Sequence, residues 1–252
     1  MIKIMTFNIR CADVKGVTWE ERRGLVSQQI SDVLPDSVGL QEAHTGWMDY
    51  LIEELADKYD YIGVGREDGK REGEFTSIFY LKEKYEVKDS GNFWLSETPD
   101  VPSKGWDAAC TRICTWAKLA DRKTGKEYVH INTHFDHRGR QAQLKSVYMI
   151  HEKAKEFEAL PVVFTADLNI LEGSDIYLKM VSSLLKDSKH LAADTMSCLT
   201  FHNAFPKKFK DYVIDYVLVN RHVTPKVYKV ITQGIDGRFV SDHYPVYADC
   251  EI

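Results

Sequence analysis

The chain has 252 residues, 44% hydrophobic and 12% aromatic, enough to bury a substantial core. A formal charge of −5 carries no sign of the basic stripe of a general nucleic-acid binder, although a cleft holding metal ions attracts phosphate whatever the global charge. No apolar run is long enough for a signal-peptide core or a bilayer span, so the expected location is cytoplasmic. The five cysteines, Cys11, Cys110, Cys114, Cys198 and Cys250, are odd in number and scattered. That argues against a disulfide framework, and Cys110 and Cys114 lack the second pair a zinc site needs.

A first strand is predicted over residues 2–9. Thr18 and Glu21 form a capping-box pattern, and the apolar spacing through Leu25, Val26, Ile30, Val33 and Leu34 predicts a helix that Pro35 stops. A short buried strand over 37–41 ends at Glu42, and a second helix is predicted over 45–58. Strands are expected at 61–64, 76–81, 86–93, 114–120 and 127–132, separated by Gly- and Asx-rich turns. The irregular segment 96–107, with Trp94 and Trp106 about it, reads as a candidate substrate-binding rim. A long helix follows over 140–157, then a strand over 162–165, a helix capped by Ser174 and running through Leu185, and strands over 213–219, 223–231 and 244–250. Neither a linker nor a repeat interrupts this order, so one domain over 1–252 is expected, with two packed sheets and helices outside.

Polar clusters recur beside the strand-like runs: Thr6-Phe7-Asn8, Gln41-Glu42, Asn132-Thr133-His134, Asp167-Leu168-Asn169, Ile214-Asp215-Tyr216 and Ser241-Asp242-His243-Tyr244-Pro245. Carboxylates, amides and histidines in this arrangement suggest a site for a hard divalent cation that hydrolyses a phosphate ester. Glu42 is the leading candidate ligand, because magnesium prefers one or two carboxylates plus substrate oxygens. Asp167 and Asn169 alternate with apolar neighbours and can share one side of an extended segment. His243 can serve as general base or as a cation facing the transition state, with Asp215 as its orienting carboxylate.

Taken together, these clusters resemble the motifs of the endonuclease/exonuclease/phosphatase superfamily, in its order and over nearly the whole chain. The resemblance implies a deoxyribonuclease I-like α/β fold, a four-layer α/β/β/α sandwich of two mostly antiparallel sheets flanked by helices. It implies Glu42 as the main metal ligand with Asn8 and Asp242 close by, and Mg²⁺ as the cofactor with Mn²⁺ as the alternative. By the same resemblance, Asp167 and Asn169 orient the attacking water and the scissile phosphate, His243 held by Asp215 acts on the phosphate, and His134 stands near the leaving group. Glu74, in Gly73-Glu74-Phe75-Thr76, resembles a glutamate that pairs with the equivalent of His134. Arg112 resembles a phosphate-contacting arginine. The segments Phe93–Pro99 and Gly105–Asp107 resemble a bacterial branch of the superfamily. Thr200-Phe201-His202-Asn203 departs from that branch, where a glycine is expected at Asn203.

The implied reaction is metal-assisted hydrolysis of a phosphodiester or phosphomonoester by in-line water attack. The substrate is a nucleic acid or a small molecule, with no obligate protein partner evident. Glu74, His134 and Arg112 favour a nuclease; the acidic balance opposes it, since Lys207, Lys208 and Lys210 form only one small basic cluster. A small-molecule or lipid-headgroup phosphatase or phosphodiesterase is the alternative; on either reading Asn8, Arg112, Trp94 and Trp106 are the expected substrate contacts. A non-catalytic phosphate-binding module is a third reading.

Overall fold

The structure, a computed structural model, describes every residue except 206, 210 and 211, so Lys210 of the small lysine cluster lies outside the described residues. Two sheets lie back to back. One contains β1 (Ile2–Asn8), β2 (Ser37–Gln41), β4 (Tyr59–Ile62), β6 (Ile78–Leu81), β12 (Asp194–Met196), β14 (Thr224–Val230) and β15 (Val246–Glu251), in the order β12-β14-β15-β1-β2-β6-β4. The other contains β7 (Tyr85–Trp94), β8 (Ile113–Asp121), β9 (Glu127–His134), β10 (Val162–Asp167), β11 (Lys186–Asp187) and β13 (Asp215–Val219), in the order β11-β13-β10-β9-β8-β7. A short ladder joins β3 (Ala43–His44) to β5 (Glu74–Phe75).

Helices α1 (Trp19–Val33) and α2 (Thr45–Glu54) cover the outer face of the first sheet, packing Leu25, Val26, Ile30, Trp47 and Leu51 on Met5, Phe7 and Leu40. On the outer face of the second sheet, α3 (Arg140–Glu156) and α4 (Asp175–Val181) pack Val147, Ile150 and Met180 against Val129, Ile131 and Phe164. A one-turn helix, α5 (Ser188–Leu191), follows β11. The layers are therefore α/β/β/α, as the resemblance implied.

Each sheet contains a parallel pair made by a strand-helix-strand crossover, β1-α1-β2 and β9-α3-β10. Parallel strands end at the same edge, so Asn8 lies in register with Gln41, and His134 with Asp167. Strand β13 runs antiparallel to β10 and begins where β10 ends, which sets Asp215 opposite Asp167. One edge of the sandwich thus collects the polar strand ends.

The capping box forms as read: Thr18 Oγ1 accepts from Glu21 N, and Glu21 Oε2 accepts from Thr18 N. Several boundaries differ from the sequence reading, and three of the differences have a visible cause. Helix α2 stops at Glu54, where the i−4 pattern gives way to a tightened turn in which Ala56 N reaches Glu53 O. Helix α4 stops at Val181, where the Ser182 hydroxyl claims Lys179 O. The strand expected over 76–81 begins only at Ile78, because Thr76 Oγ1 reaches Ile113 O and Ser77 O is shared by Leu40 N and Asn132 Nδ2. The chain thereby leaves β5 free to pair with β3.

Candidate active site

Four carboxylates meet at the polar edge: Glu42, Asp167, Asp215 and Asp242, all buried. Glu42 follows β2 in left-handed backbone, φ 63°, and Arg10 and Asn169 share that conformation at φ 59° and 50°. Non-glycine residues rarely adopt it, and such strain concentrates at functional sites. Asn8 stands behind the carboxylates and does not face the cavity. Its Nδ2 donates to Glu42 Oε1 at 3.0 Å and to Asp167 Oδ2 at 2.9 Å, while its Oδ1 accepts from Arg10 N. The amide oxygen expected to approach a metal is therefore engaged by backbone, and Asn8 orients the two carboxylates.

Glu42 Oε2 accepts from Cys11 N, and the Arg10 guanidinium lies between Glu42 at 3.7 Å and Asp242 at 3.6 Å. Burial works against the Glu42 charge, but the Cys11 amide, Arg10 and His243 outweigh it and lower its pKa. Asp215 Oδ2 bonds His243 Nδ1 at 2.9 Å, turning Nε2 toward Asp167 Oδ2 at 3.8 Å and Asp242 Oδ1 at 4.0 Å. Burial disfavours an imidazolium there, yet Asp215 and the other carboxylates prevail and push the His243 pKa up to about 10. Asp167 is raised by burial and by the facing Asp215. Its Oδ1 accepts from Asn169 N.

A cavity of about 470 Å³ opens over this cluster, lined by Glu42, Asp167 and His243 on one side and by Arg66, Glu74 and Arg112 on another. His134 lines it too, with Nε2 3.4 Å from Asp167 Oδ2. Asn169 Nδ2 donates to Phe135 O and to His134 Nε2, which puts the imidazole proton on Nδ1. Burial, with Arg112 and Arg66 nearby, holds His134 neutral. Arg112 is 5% exposed; its Nη2 reaches His137 Nδ1 at 3.3 Å, and its Nε and Nη1 have no hydrogen-bond partner among the described residues. Nε lies 3.7 Å from Asp136 Oδ2, which anchors the group, and a buried guanidinium that keeps Nη1 free at a cavity wall is suited to an anion.

Several expectations need correction. Glu74 does not pair with His134: its Oε2 accepts from Arg66 Nη1 at 2.6 Å, and Arg66 outcompetes a neutral imidazole for the carboxylate. Burial raises the Glu74 pKa against the pull of Arg66. Trp94 is buried and its Nε1 donates to Arg66 O, so it supports the loop from beneath. Trp106, anchored through its backbone N–H to Glu97 Oε2, also lies off the cavity. Asp242 faces a side pocket of about 280 Å³ with Arg10, Lys15 and Asn203. Phe201 does line the main cavity, tilted against His243 at 4.8 Å. Asn203, where a glycine was expected, takes φ 43°, a conformation asparagine tolerates better than most residues.

Sequence reading passed over Arg10, Arg66, His137 and Tyr212, which also line the cavity. Arg10 stands two residues beyond Asn8, a proximity that could have marked it. It passed over Arg22 as well, an arginine on the apolar stripe of α1. Arg22 is fully buried, and its two Nη atoms donate to the carbonyls of Ile9, Val240, Arg10 and Ala12. It thereby ties the Arg10 loop to the loop carrying Asp242 and His243.

The donor set fits a hard divalent cation. Four buried carboxylates outnumber the cations that touch them, Arg10 and His243. Asp167 and Asp215 bring carboxylate oxygens within 4.8 Å of one another beside His243, whose charge makes it a neighbour of a bound cation's ligands and not a ligand itself. Oxygen donors of this kind suit Mg²⁺ or Mn²⁺.

Sheets of this topology with a carboxylate, amide and histidine edge define the fold class of deoxyribonuclease I-like phosphoesterases. The chain belongs to the Endonuclease/Exonuclease/phosphatase family, whose model matches residues 5–243. It is similar to the Bacteroides thetaiotaomicron VPI-5482 mannosyl-6-phosphatase Bt3783 at 35% identity and TM-score 0.94, covering 100% of both chains. An endonuclease/exonuclease/phosphatase from Bacteroides vulgatus is 40% identical with TM-score 0.93, covering 100% of this chain and 98% of that one. Human Nocturnin, at 18% identity and TM-score 0.78 over 99% of this chain and 93% of its own, shares the fold. Two proteins of Acanthamoeba polyphaga mimivirus, L388 and R895, match 47% and 90% of this chain at 31% and 22% identity; the chain spans only 46% and 38% of those curated relatives. Among the described residues, no helix is long and apolar enough to cross a membrane.

Proposed function

We propose that this protein is a divalent-metal-dependent phosphatase that hydrolyses the phosphomonoester of a small polar molecule. One observation carries the reading: a cavity of about 470 Å³ joins the Glu42–Asp167–His243 cluster to the unpartnered Nη1 of Arg112. That size suits a small ligand, and the −5 charge gives little to hold a polynucleotide backbone. Likeness to a protein titled a mannosyl-6-phosphatase supports a sugar phosphate as substrate.

Glu42 would hold the metal, with Asp167 on the same cavity to complete the site and Asp242, behind Arg10 and His243, balancing their charge. When bound, the ion supplies charge neutralisation on the phosphoryl oxygens. Asp167, fixed by Asn8 and Asn169, aligns the attacking water in line with the leaving oxygen. His243, anchored by Asp215, presents Nε2 as a charged donor to the phosphoryl group. Arg112 receives a phosphate oxygen, and His134 stands beside the leaving group.

The test is a hydrolysis screen of hexose 6-phosphates, inositol phosphates, p-nitrophenyl phosphate and single-stranded oligonucleotides, each with Mg²⁺ and with a chelator. The expected result is chelator-sensitive release of phosphate from small monoesters. Cleavage of oligonucleotides with no monoesterase activity would overturn the reading.

A further inference from the structure

We infer that the Arg66–Glu74 pair forms a hydroxyl-reading subsite, so that the substrate of the proposed phosphatase carries adjacent hydroxyls, as a sugar or polyol phosphate does. This rests on the phosphatase reading and specifies its substrate. The pair lines the same cavity as Glu42, Asp167 and His243, and buried Arg112 lines it as well with Nη1 unpartnered. A phosphate held by Arg112 and the carboxylate edge therefore leaves the remainder of its molecule against Arg66 and Glu74.

The subsite is rigid. Arg66 N donates to Glu74 O at 3.1 Å, and Arg66 O accepts from Trp94 Nε1 at 2.6 Å. The side chains lock together through Nη1 and Oε2, and strand pairing of β5 with β3 fixes Glu74 from behind. Gly65, whose Cβ would collide with the backbone at Glu72, and Gly73 at φ 86° let the loop fold this tightly. A fixed polar pair presents donors and acceptors without ordering cost.

Its charge selects the ligand class. Arg66 serves two carboxylates, Glu67 through Nε at 3.1 Å and Glu74 through Nη1. One cation between two anions leaves this wall with no net attraction for a second phosphate, which disfavours bisphosphates and a nucleic-acid backbone. A hydroxyl both donates and accepts, so a vicinal diol can donate to Glu74 and accept from Arg66 Nη2, which neither ion pair uses.

The experiment compares kcat/KM for a hexose 6-phosphate, myo-inositol monophosphate and p-nitrophenyl phosphate in the wild-type protein, Glu74→Gln and Arg66→Lys, all with Mg²⁺. Both variants should lose at least about tenfold more on the hydroxylated esters than on p-nitrophenyl phosphate, the loss of a charged hydrogen bond to a hydroxyl. Equal losses on all three esters would overturn the inference and place the pair in the chemistry instead. Thermal melting of both variants distinguishes unfolding from a binding defect: if Glu74→Gln melts early, Arg66→Lys carries the comparison. A wild-type protein inactive on every monoester would defeat the phosphatase reading itself, whereas active protein with unselective variants defeats only the subsite.

Discussion

Glu42 combines three properties that a solvent-facing strand-end glutamate lacks: burial, left-handed backbone, and two N–H donors aimed at its oxygens. Replacing it with the isosteric glutamine removes one negative charge without changing shape. Glu42→Gln should weaken Mg²⁺ binding, read by calorimetry, and cut hydrolysis by about 10²–10³-fold; wild-type metal affinity in this variant would remove Glu42 from the metal site. Asp215 makes a separate contribution, since it touches His243 and not the cavity. Asp215→Asn keeps a hydrogen-bond partner for Nδ1 while removing the charge that favours imidazolium, so kcat should fall by about 10²-fold or more with a smaller change in KM. A changed KM with unaltered kcat would show that His243 only binds substrate. At this scale the sequence was legible where a polar residue ended an apolar run, as with Glu42, Asp167 and His243. Arg66 was not, because its place depends on a Gly-rich loop folding back across 63–75, which no periodicity announces. Trp94 was misread for the same reason: aromatic residues in loops look alike from sequence whether they face the ligand or support the wall.

Helix α1 shows what an element contributes beyond packing. Its stripe Arg22, Leu25, Val26, Ile30 follows helical spacing, and the arginine occupies a position where a leucine would serve the core equally well. Burial lowers the Arg22 pKa, and carbonyls rather than a bonded carboxylate satisfy its Nη donors. The helix that connects β1 to β2 therefore also joins the ends of β1 and the 240–243 segment. Arg22→Met keeps the apolar stem and abandons four carbonyls, so the protein should lose about 2–4 kcal/mol in denaturant unfolding. The same variant should bind Mg²⁺ more weakly, and Arg22→Lys should recover only part of either loss. Stability loss with unchanged metal affinity would make the residue purely structural. Elements with local signals, such as the capping box at Thr18 or the buried strand 37–41, were readable in the chain. The two-residue strands β3, β5 and β11 were not, because a strand that short exists only through its partner.

Across the whole molecule, the two sheets meet through both an apolar layer and a buried polar one. His130 on β9 bonds Ser37 Oγ on β2 through Nδ1 and Thr165 Oγ1 on β10 through Nε2, both at 2.8 Å, and Asn132, Gln41 and Thr6 continue the network toward the site. The close approach needs Gly39, whose Cβ would collide with Thr165 Oγ1 and the Asn132 amide. Gly39→Ala should therefore cost about 1–3 kcal/mol by separating the sheets, measured by chemical denaturation. Acid acts on the same layer. Burial alone depresses the His130 pKa from 6.5 to about 3, so the folded state keeps the ring neutral while the unfolded chain protonates it. The unfolded state then binds more protons throughout that window. His130 thus contributes stability that is present above pH 6.5 and is lost as pH falls toward 3. Unfolding free energies measured between pH 7 and 4 should fall more steeply for the wild-type protein than for His130→Gln, by up to about 1.4 kcal/mol per pH unit for one proton. The variant should be weaker at neutral pH, where it loses a ring fitted to two hydroxyls, and the gap should narrow on acidification. Parallel pH profiles for the two proteins would mean that His130 does not report the sheet-to-sheet contact.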